Sequence, residues 1–265
     1  YDILELLYPY DIITLLSTNG QRLNDERVIQ ALATYPPTYL ICAIDGLSDE
    51  TNSQYRSGAR LEKVLSGVRR LAEIKESLGM QLPVLHMRFI AMKHNQHELP
   101  HIVEFASQNR FDLLTVRTLS IIDVESPDQR HYHLIPDDPS LRAYRYTGQN
   151  RLEKQDYICL QPFWFPTLFA DGTVVACEQD FNAQQPLGQV DEGNSFHDVW
   201  LSSRTRQRRK AIRDQPARFS FCRHCPYRDR DVTDCSIQAY FLNETIDYDD
   251  LTGKAKALQP SHLSE

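Results

Sequence analysis

The sequence predicts an α/β protein: a largely parallel strand–helix domain followed by a small cysteine-rich domain. Two observations carry this. Continuous apolar runs alternate with helix-period stripes at roughly 30 to 40 residue spacing, the pattern of right-handed βαβ units. Five of the six cysteines then fall in the last 110 of 265 residues.

Residues 12–16 form an apolar run that ends in Ser17-Thr18-Asn19-Gly20, as a buried parallel strand entering a glycine-bearing loop should. Asn24 is placed to cap a helix with Asp25 and Glu26 in its first turn and Val28, Ile29 and Leu32 inward, ended by Pro36-Pro37. Residues 39–44 form a second strand that delivers Asp45-Gly46 to its C-terminal end. After a loop through Asn52, Tyr55, Arg56 and Gly58, an apolar stripe from Leu61 to Ala72 predicts a helix closed by Gly79. A third strand over 84–92, a helix over 99–108 and a fourth strand over 113–119 follow. In such sheets the working residues emerge at the C-terminal strand ends, here Ser17, Thr18, Asn19, Asp45, Arg56, Lys93 and Arg117. His94, His97 and His101 lie on a polar stretch and read as ordinary surface histidines.

Residues 120–155 hold Pro127, Pro136 and Pro139 with many charges and no sustained period, and read as a bridge. Beyond it, Thr167–Ala170 and Thr173–Ala176 flank Asp171-Gly172, a hairpin that would carry Cys177 back towards Cys159. Cys222 and Cys225 form a C-x2-C. Two separated cysteines plus a close pair can enclose one tetrahedral zinc or one iron–sulfur cluster, and spacing leaves both open. Cys235 is left over and reads as a small buried hydrophobe. Phe196, Val199 and Trp200 anchor a short helix. The basic run Arg204, Arg206, Arg208, Arg209, Lys210 and Arg213 reads as a solvated helix face. The chain from Asn243 onward reads as a loosely held tail.

Composition narrows the function classes. Charged residues at 25% and hydrophobics at 41% fit a globular protein, and a net charge of −7 argues against general nucleic-acid binding. No apolar run approaches the roughly 18 residues of a membrane span, and no signal peptide opens the sequence. Bunched cysteines with an x2 spacing then favour metal in a reducing compartment over disulfides, which predicts a cytoplasmic protein.

The spacing C-x12-G-x4-C, then GQVDEGNSFHDVW, then C-x2-C resembles the auxiliary-cluster domain of radical S-adenosylmethionine (SAM) enzymes, called SPASM in its two-cluster form and twitch in its one-cluster form. The two-cluster form would show seven cysteines, so the resemblance implies one auxiliary [4Fe-4S] cluster on Cys159, Cys177, Cys222 and Cys225. The phrases LLSTNG, AIDG and NSQYRSGARLEKVLSGVRRL are similar to the third and fourth strand regions of the radical SAM partial (βα) barrel. That likeness implies that Asn19, Asp45 and Arg56 lie near SAM, with local turns and a surface ion pair as the plain alternatives. It divides the chain into a partial barrel over 1–125 (third to sixth βα units), a bridge over 126–155, an auxiliary-cluster domain over 156–240 and a tail over 241–265. Glu178, directly after Cys177, is a candidate acid or base by the same likeness.

The C-x3-C-x2-C motif and the Gly-Gly-Glu stretch that hold the SAM-cleaving cluster and the methionine amino group do not occur in this sequence. The chain opens on Tyr1 inside an apolar run and reads as a fragment, inactive alone, of an enzyme whose intact form carries SAM and a second [4Fe-4S] cluster. The likeness implies hydrogen abstraction from a small alcohol, a sugar or a peptide, with flavodoxin or ferredoxin as electron donor, and no nucleic acid or membrane partner. A zinc-stabilised binding module and a degenerate, non-catalytic relative are the alternatives.

Overall fold

The computed structural model describes residues 2–10, 12–120, 129–147, 150–152, 157–223, 225–230 and 236–251. It divides into two compact units, one from the described residues within 1–119, 133–142 and 234–265, the other from those within 120–132 and 143–233. Cys235, Pro127 and most of the C-terminal tail lie outside the described residues.

The first unit is a five-stranded sheet with four parallel strands in chain order: β1 (Leu15–Thr18), β2 (Tyr39–Ala43), β3 (Val84–Ala91) and β4 (Leu113–Thr118). A short helix, α1 (Asp2–Leu7), precedes them. β1 is followed by α2 (Glu26–Thr34), whose cap is Asp25 rather than Asn24: its carboxylate accepts from the Arg27 amide at 3.0 Å. The stretch expected as loop after β2 contains a helix, α3 (Asp49–Tyr55), nucleated by the Ser48 side chain accepting from the Thr51 amide. α4 (Leu61–Leu78) follows, and Gly79 caps it in the left-handed conformation.

α4 buries Leu61, Val64, Leu65, Val68, Leu71 and Ala72 against Leu85, Met87, Phe89, Leu114 and Val116 on one face of the sheet. Each fully buried leucine or valine contributes about 1.5–3 kcal/mol. Gly67 is required by contact: a Cβ there would run into the Leu23 side chain and carbonyl. The predicted helix over 99–108 starts as a 3-10 turn, Gln96–His101, containing Pro100, and becomes α-helical only as α5 (Ile102–Gln108).

One correction concerns the domain boundary at 240. Ser236–Phe241 is a strand of this first sheet, paired antiparallel with β4, and not the end of the cysteine-rich domain. Asp112 ties it down. Its backbone carbonyl accepts from the amides of Leu242 and Asn243 and from the Tyr248 hydroxyl, while its carboxylate takes Asn243 Nδ2 at 2.7 Å, the Leu85 amide at 2.8 Å and Lys75 Nζ at 2.5 Å. The chain through Ile246 and Tyr248 packs on Tyr39, Val84 and Leu113, so residues 242–251 are folded against the sheet and are not a loose tail. The proposed bridge also divides: 133–142 belongs with the first unit, and the Lys93 amide donates to the Leu134 carbonyl at 2.9 Å.

The second unit contains β5 (Tyr146–Thr147) and β6 (Asn150–Arg151), α6 (Gln161–Trp164), a three-stranded sheet of β7 (Thr167–Leu168), β8 (Thr173–Val175) and β9 (Gly188–Gln189), and helices α7 (Phe196–Leu201), α8 (Ser203–Asp214) and α9 (Ser220–Arg223). The β7–β8 hairpin forms as predicted. Gly172 sits at φ +85°, a region L side chains avoid, and a Cβ there would also meet the Val190 carbonyl oxygen. α7 opens with a capping box between Ser195 and Asp198. Val174, Ala176, Leu187, Val199, Ile212, Phe219 and Cys222 form this unit's core.

Candidate metal centre

The hairpin and the short α9 fix the cysteine quartet. Cys159 precedes α6, and the Gln161 amide donates to its sulfur. Cys177 leaves β8 through Ala176, and the Gln179 amide donates to its Sγ at 3.5 Å. The loop beyond is closed by Asp180, which is 1% exposed and accepts from the amides of Gln184 and Gln185 at 2.7 and 2.9 Å. Cys222 sits on α9. The Cys225 amide donates to the Cys222 carbonyl at 3.3 Å, and the Arg228 amide donates to the Cys225 sulfur.

All four thiols are buried, at 6–8% exposure. They lie in one another's fields. Burial, then mutual repulsion of the would-be thiolates, pushes Cys177 up to about 12; burial also takes Cys225 up to about 11 and raises Cys159 and Cys222. Such a pocket holds neutral thiols until a cation displaces the protons.

The donor set tests what would fit. Four buried thiols with no carboxylate or imidazole among them are the usual donors of an iron–sulfur cluster, one cysteine to each iron, and the residues present fit that group. Tetrahedral zinc takes the same four sulfurs.

Around the quartet the electrostatics are specific. Arg151 lowers the cost of charge on Cys225, while its guanidinium pairs at 2.9 Å with Asp229, itself 2% exposed, and stacks 4.8 Å above the Tyr144 ring. Burial, then the neighbouring would-be thiolates of Cys159 and Cys225, raise the pKa of Tyr157. Glu178 is exposed and accepts from the Tyr227 hydroxyl. Most of the basic run on α8 is solvated, but Arg209 is 8% exposed, 4.0 Å over the Trp200 ring and bonded to the Trp200 carbonyl. The Arg151–Asp229 pair was not legible, since it joins residues 78 apart in sequence.

In the first unit, Asp45 and Arg56 meet and Asn19 stands apart. Asp45 is fully buried; its Oδ2 is 2.6 Å from Arg56 Nε, and its Oδ1 accepts from the Ile90 amide at 2.8 Å. Burial raises its pKa against the opposing pull of Arg56, the Ile90 amide and Arg88. Asn19 is exposed, its Oδ1 taking the Gln21 amide at 3.2 Å. Cys42 is wholly buried in β2, its thiol pushed up to about 12, an inert packing residue. On the face of β3 and β4 opposite the helices stand His86, Arg88, Thr115 and Arg117, with His86 Nε2 2.8 Å from Thr115 Oγ1. The polar positions alternating through VLHMRFIA were the available signal for this face.

Comparison with known proteins agrees with this chemistry. Residues 159–226 match the SPASM family, an iron-sulfur cluster-binding domain. Among solved structures, Streptococcus suis SuiB bound to S-adenosylmethionine matches with a TM-score of 0.51 at 13% identity, over 76% of this chain and 51% of SuiB. SuiB bound to the precursor peptide SuiA gives 0.49 at 13% identity, over 76% and 50%. Histidine-tagged anSMEcpe with bound AdoMet gives 0.44 at 12% identity, over 92% and 70%. The chain spans about half the length of SuiB. Fold and site together define an α/β protein with a strand–helix unit and a unit that carries four buried cysteines. The chain shares its fold with SuiB, and its residues 159–226 are similar to the SPASM iron-sulfur cluster-binding domain.

Proposed function

We propose that this chain is the C-terminal part of a radical SAM enzyme in which Cys159, Cys177, Cys222 and Cys225 hold one auxiliary [4Fe-4S] cluster. The observation that carries the reading is the quartet itself: four buried thiols in one electrostatic field, with backbone amides directed at three of the sulfurs. The likeness of the chain's fold to SuiB, solved with S-adenosylmethionine, supports SAM as the cosubstrate of the intact protein. When bound, SAM and its own cluster supply a 5′-deoxyadenosyl radical for hydrogen abstraction, and the auxiliary cluster supplies a centre that accepts an electron or anchors substrate.

The chain's own residues have separable tasks. The buried Asp45–Arg56 pair orders the loop leaving β2, because Asp45 also fixes the Ile90 amide at the end of β3. Arg88, Arg117 and a neutral His86 give one sheet face a positive, hydrogen-bonding character suited to a polar substrate, a small alcohol, a sugar or a peptide. Glu178, which follows Cys177 directly and is exposed and bonded to Tyr227, would take a proton from substrate. Flavodoxin or ferredoxin would supply the reducing electron.

The reading is tested by 5′-deoxyadenosine formation from SAM under dithionite. The expected result is formation by the intact gene product and none by this chain alone, which lacks C-x3-C-x2-C. An intact product that loads its clusters and never forms 5′-deoxyadenosine contradicts the proposal.

A further inference from the structure

The basic run of the second unit divides by what its cations meet. Residues 201–218 carry seven Lys or Arg and one Asp, a strongly positive strip in a chain of net charge −7. Arg209 is turned inward onto Trp200, and Arg213 pairs with Asp214 at 2.7 Å. Arg204 and Arg208, one turn apart on α8, instead line a groove of about 490 Å³ with Gln185, Gln207, Phe219 and Arg218, the last from the 3-10 turn Pro216–Arg218. Arg208 bonds the Gln185 amide oxygen and lies 5.7 Å over the Phe219 ring, and Arg218 bonds the Gln215 amide oxygen at 2.7 Å. Among the described residues none of the three groove arginines meets a carboxylate.

Three guanidinium groups around one concave space repel one another, and like charges four apart on a helix lower its stability. A ligand that brings carboxylates offsets both costs, because each guanidinium fork takes a carboxylate through two parallel N–H···O bonds. Gln185, whose Oε1 takes the Arg208 bond, keeps its side-chain N–H groups as donors for a peptide carbonyl, and Phe219 lends an apolar wall. A nucleic acid shares the anionic chemistry but not the extent: a strand long enough to bind by charge runs off one helix and one turn onto an acidic chain. We propose that this groove is a docking site for an acidic peptide segment of a partner protein, its carboxylates taken by Arg204, Arg208 and Arg218. The inference goes beyond the reaction proposed above and holds whether the cysteine quartet carries a cluster or a zinc ion.

The test is fluorescence anisotropy of a fluorescein-labelled Glu-Leu-Glu-Asp-Glu peptide titrated with the full chain at about 0.15 M salt, where exposed charges more than about 8 Å apart are largely screened. The same labelled peptide with Gln and Asn in place of its acids, and a short oligothymidylate, are the comparison probes. The acidic peptide should bind and the other two should bind more weakly. Arg204→Gln with Arg218→Gln should weaken that binding at least about tenfold, whereas Arg206→Gln with Lys210→Gln, which removes two exposed cations of α8 outside the groove, should leave it within about twofold. Equal weakening by the two double variants reduces the effect to general attraction by a basic helix and overturns the proposal. No binding of the acidic peptide, or tighter binding of the oligothymidylate, overturns it as well. Circular dichroism checks the fold of each variant. If the groove variant is unfolded, Arg204→Gln alone decides, since Arg204 is exposed: weaker binding supports the groove, and unchanged binding overturns it.

Discussion

His86 stands in the layer of β3 that faces Thr115, sharing a field with Arg88 and Arg117. Burial first, then those two guanidinium groups, push its pKa down to about 4. The folded protein therefore holds it neutral where an unfolded chain, titrating near 6.5, takes up a proton. Between those values the unfolded state binds more protons, so stability falls as pH drops from about 6.5 towards 4. Urea unfolding at pH 7 and pH 5 should show wild type losing about 2 kcal/mol more than His86→Gln; equal losses would contradict a buried neutral imidazole. Residue types and positions were readable here, but their partners were not. Asp45 and Arg56 were each identifiable at a strand end or beyond it, yet that they close on each other as a buried pair depends on α3 and β3.

At the scale of elements, strongly periodic segments were legible and polar or long-range ones were not. α4 announces itself by its apolar stripe, whereas α3, DETNSQY, has almost no apolar residue to report a period and is defined by the Ser48 cap. The strand Ser236–Phe241 escaped because its pairing with β4 spans more than a hundred residues of sequence. The β7–β8 hairpin was readable because its turn chemistry is local. Gly172 also makes that hairpin fragile. Gly172→Ala places a Cβ at φ +85° and against the Val190 carbonyl, so it should lower stability by about 1–3 kcal/mol in chemical denaturation. An unchanged denaturation midpoint would show that the turn relaxes without cost.

Over the whole molecule, the chain passes from a strand–helix unit into a cysteine-bearing unit and returns to the first sheet, where Asp112 anchors the returning segment from Leu242 to Tyr248. The cysteine spacing and Gly172 were enough to single out Cys159, Cys177, Cys222 and Cys225 as candidate ligands. Their shared burial and mutual electrostatic influence required the fold. No helix among the described residues is long and apolar enough to cross a membrane. The central claim is that this quartet binds an iron–sulfur cluster. Its most direct test is the metal and acid-labile sulfide content of the chain purified without oxygen, beside a Cys222→Ala, Cys225→Ala variant. The account predicts about four iron and four sulfide per chain, lost in the variant. One zinc per chain without sulfide, or iron and sulfide retained in full by the variant, would contradict it.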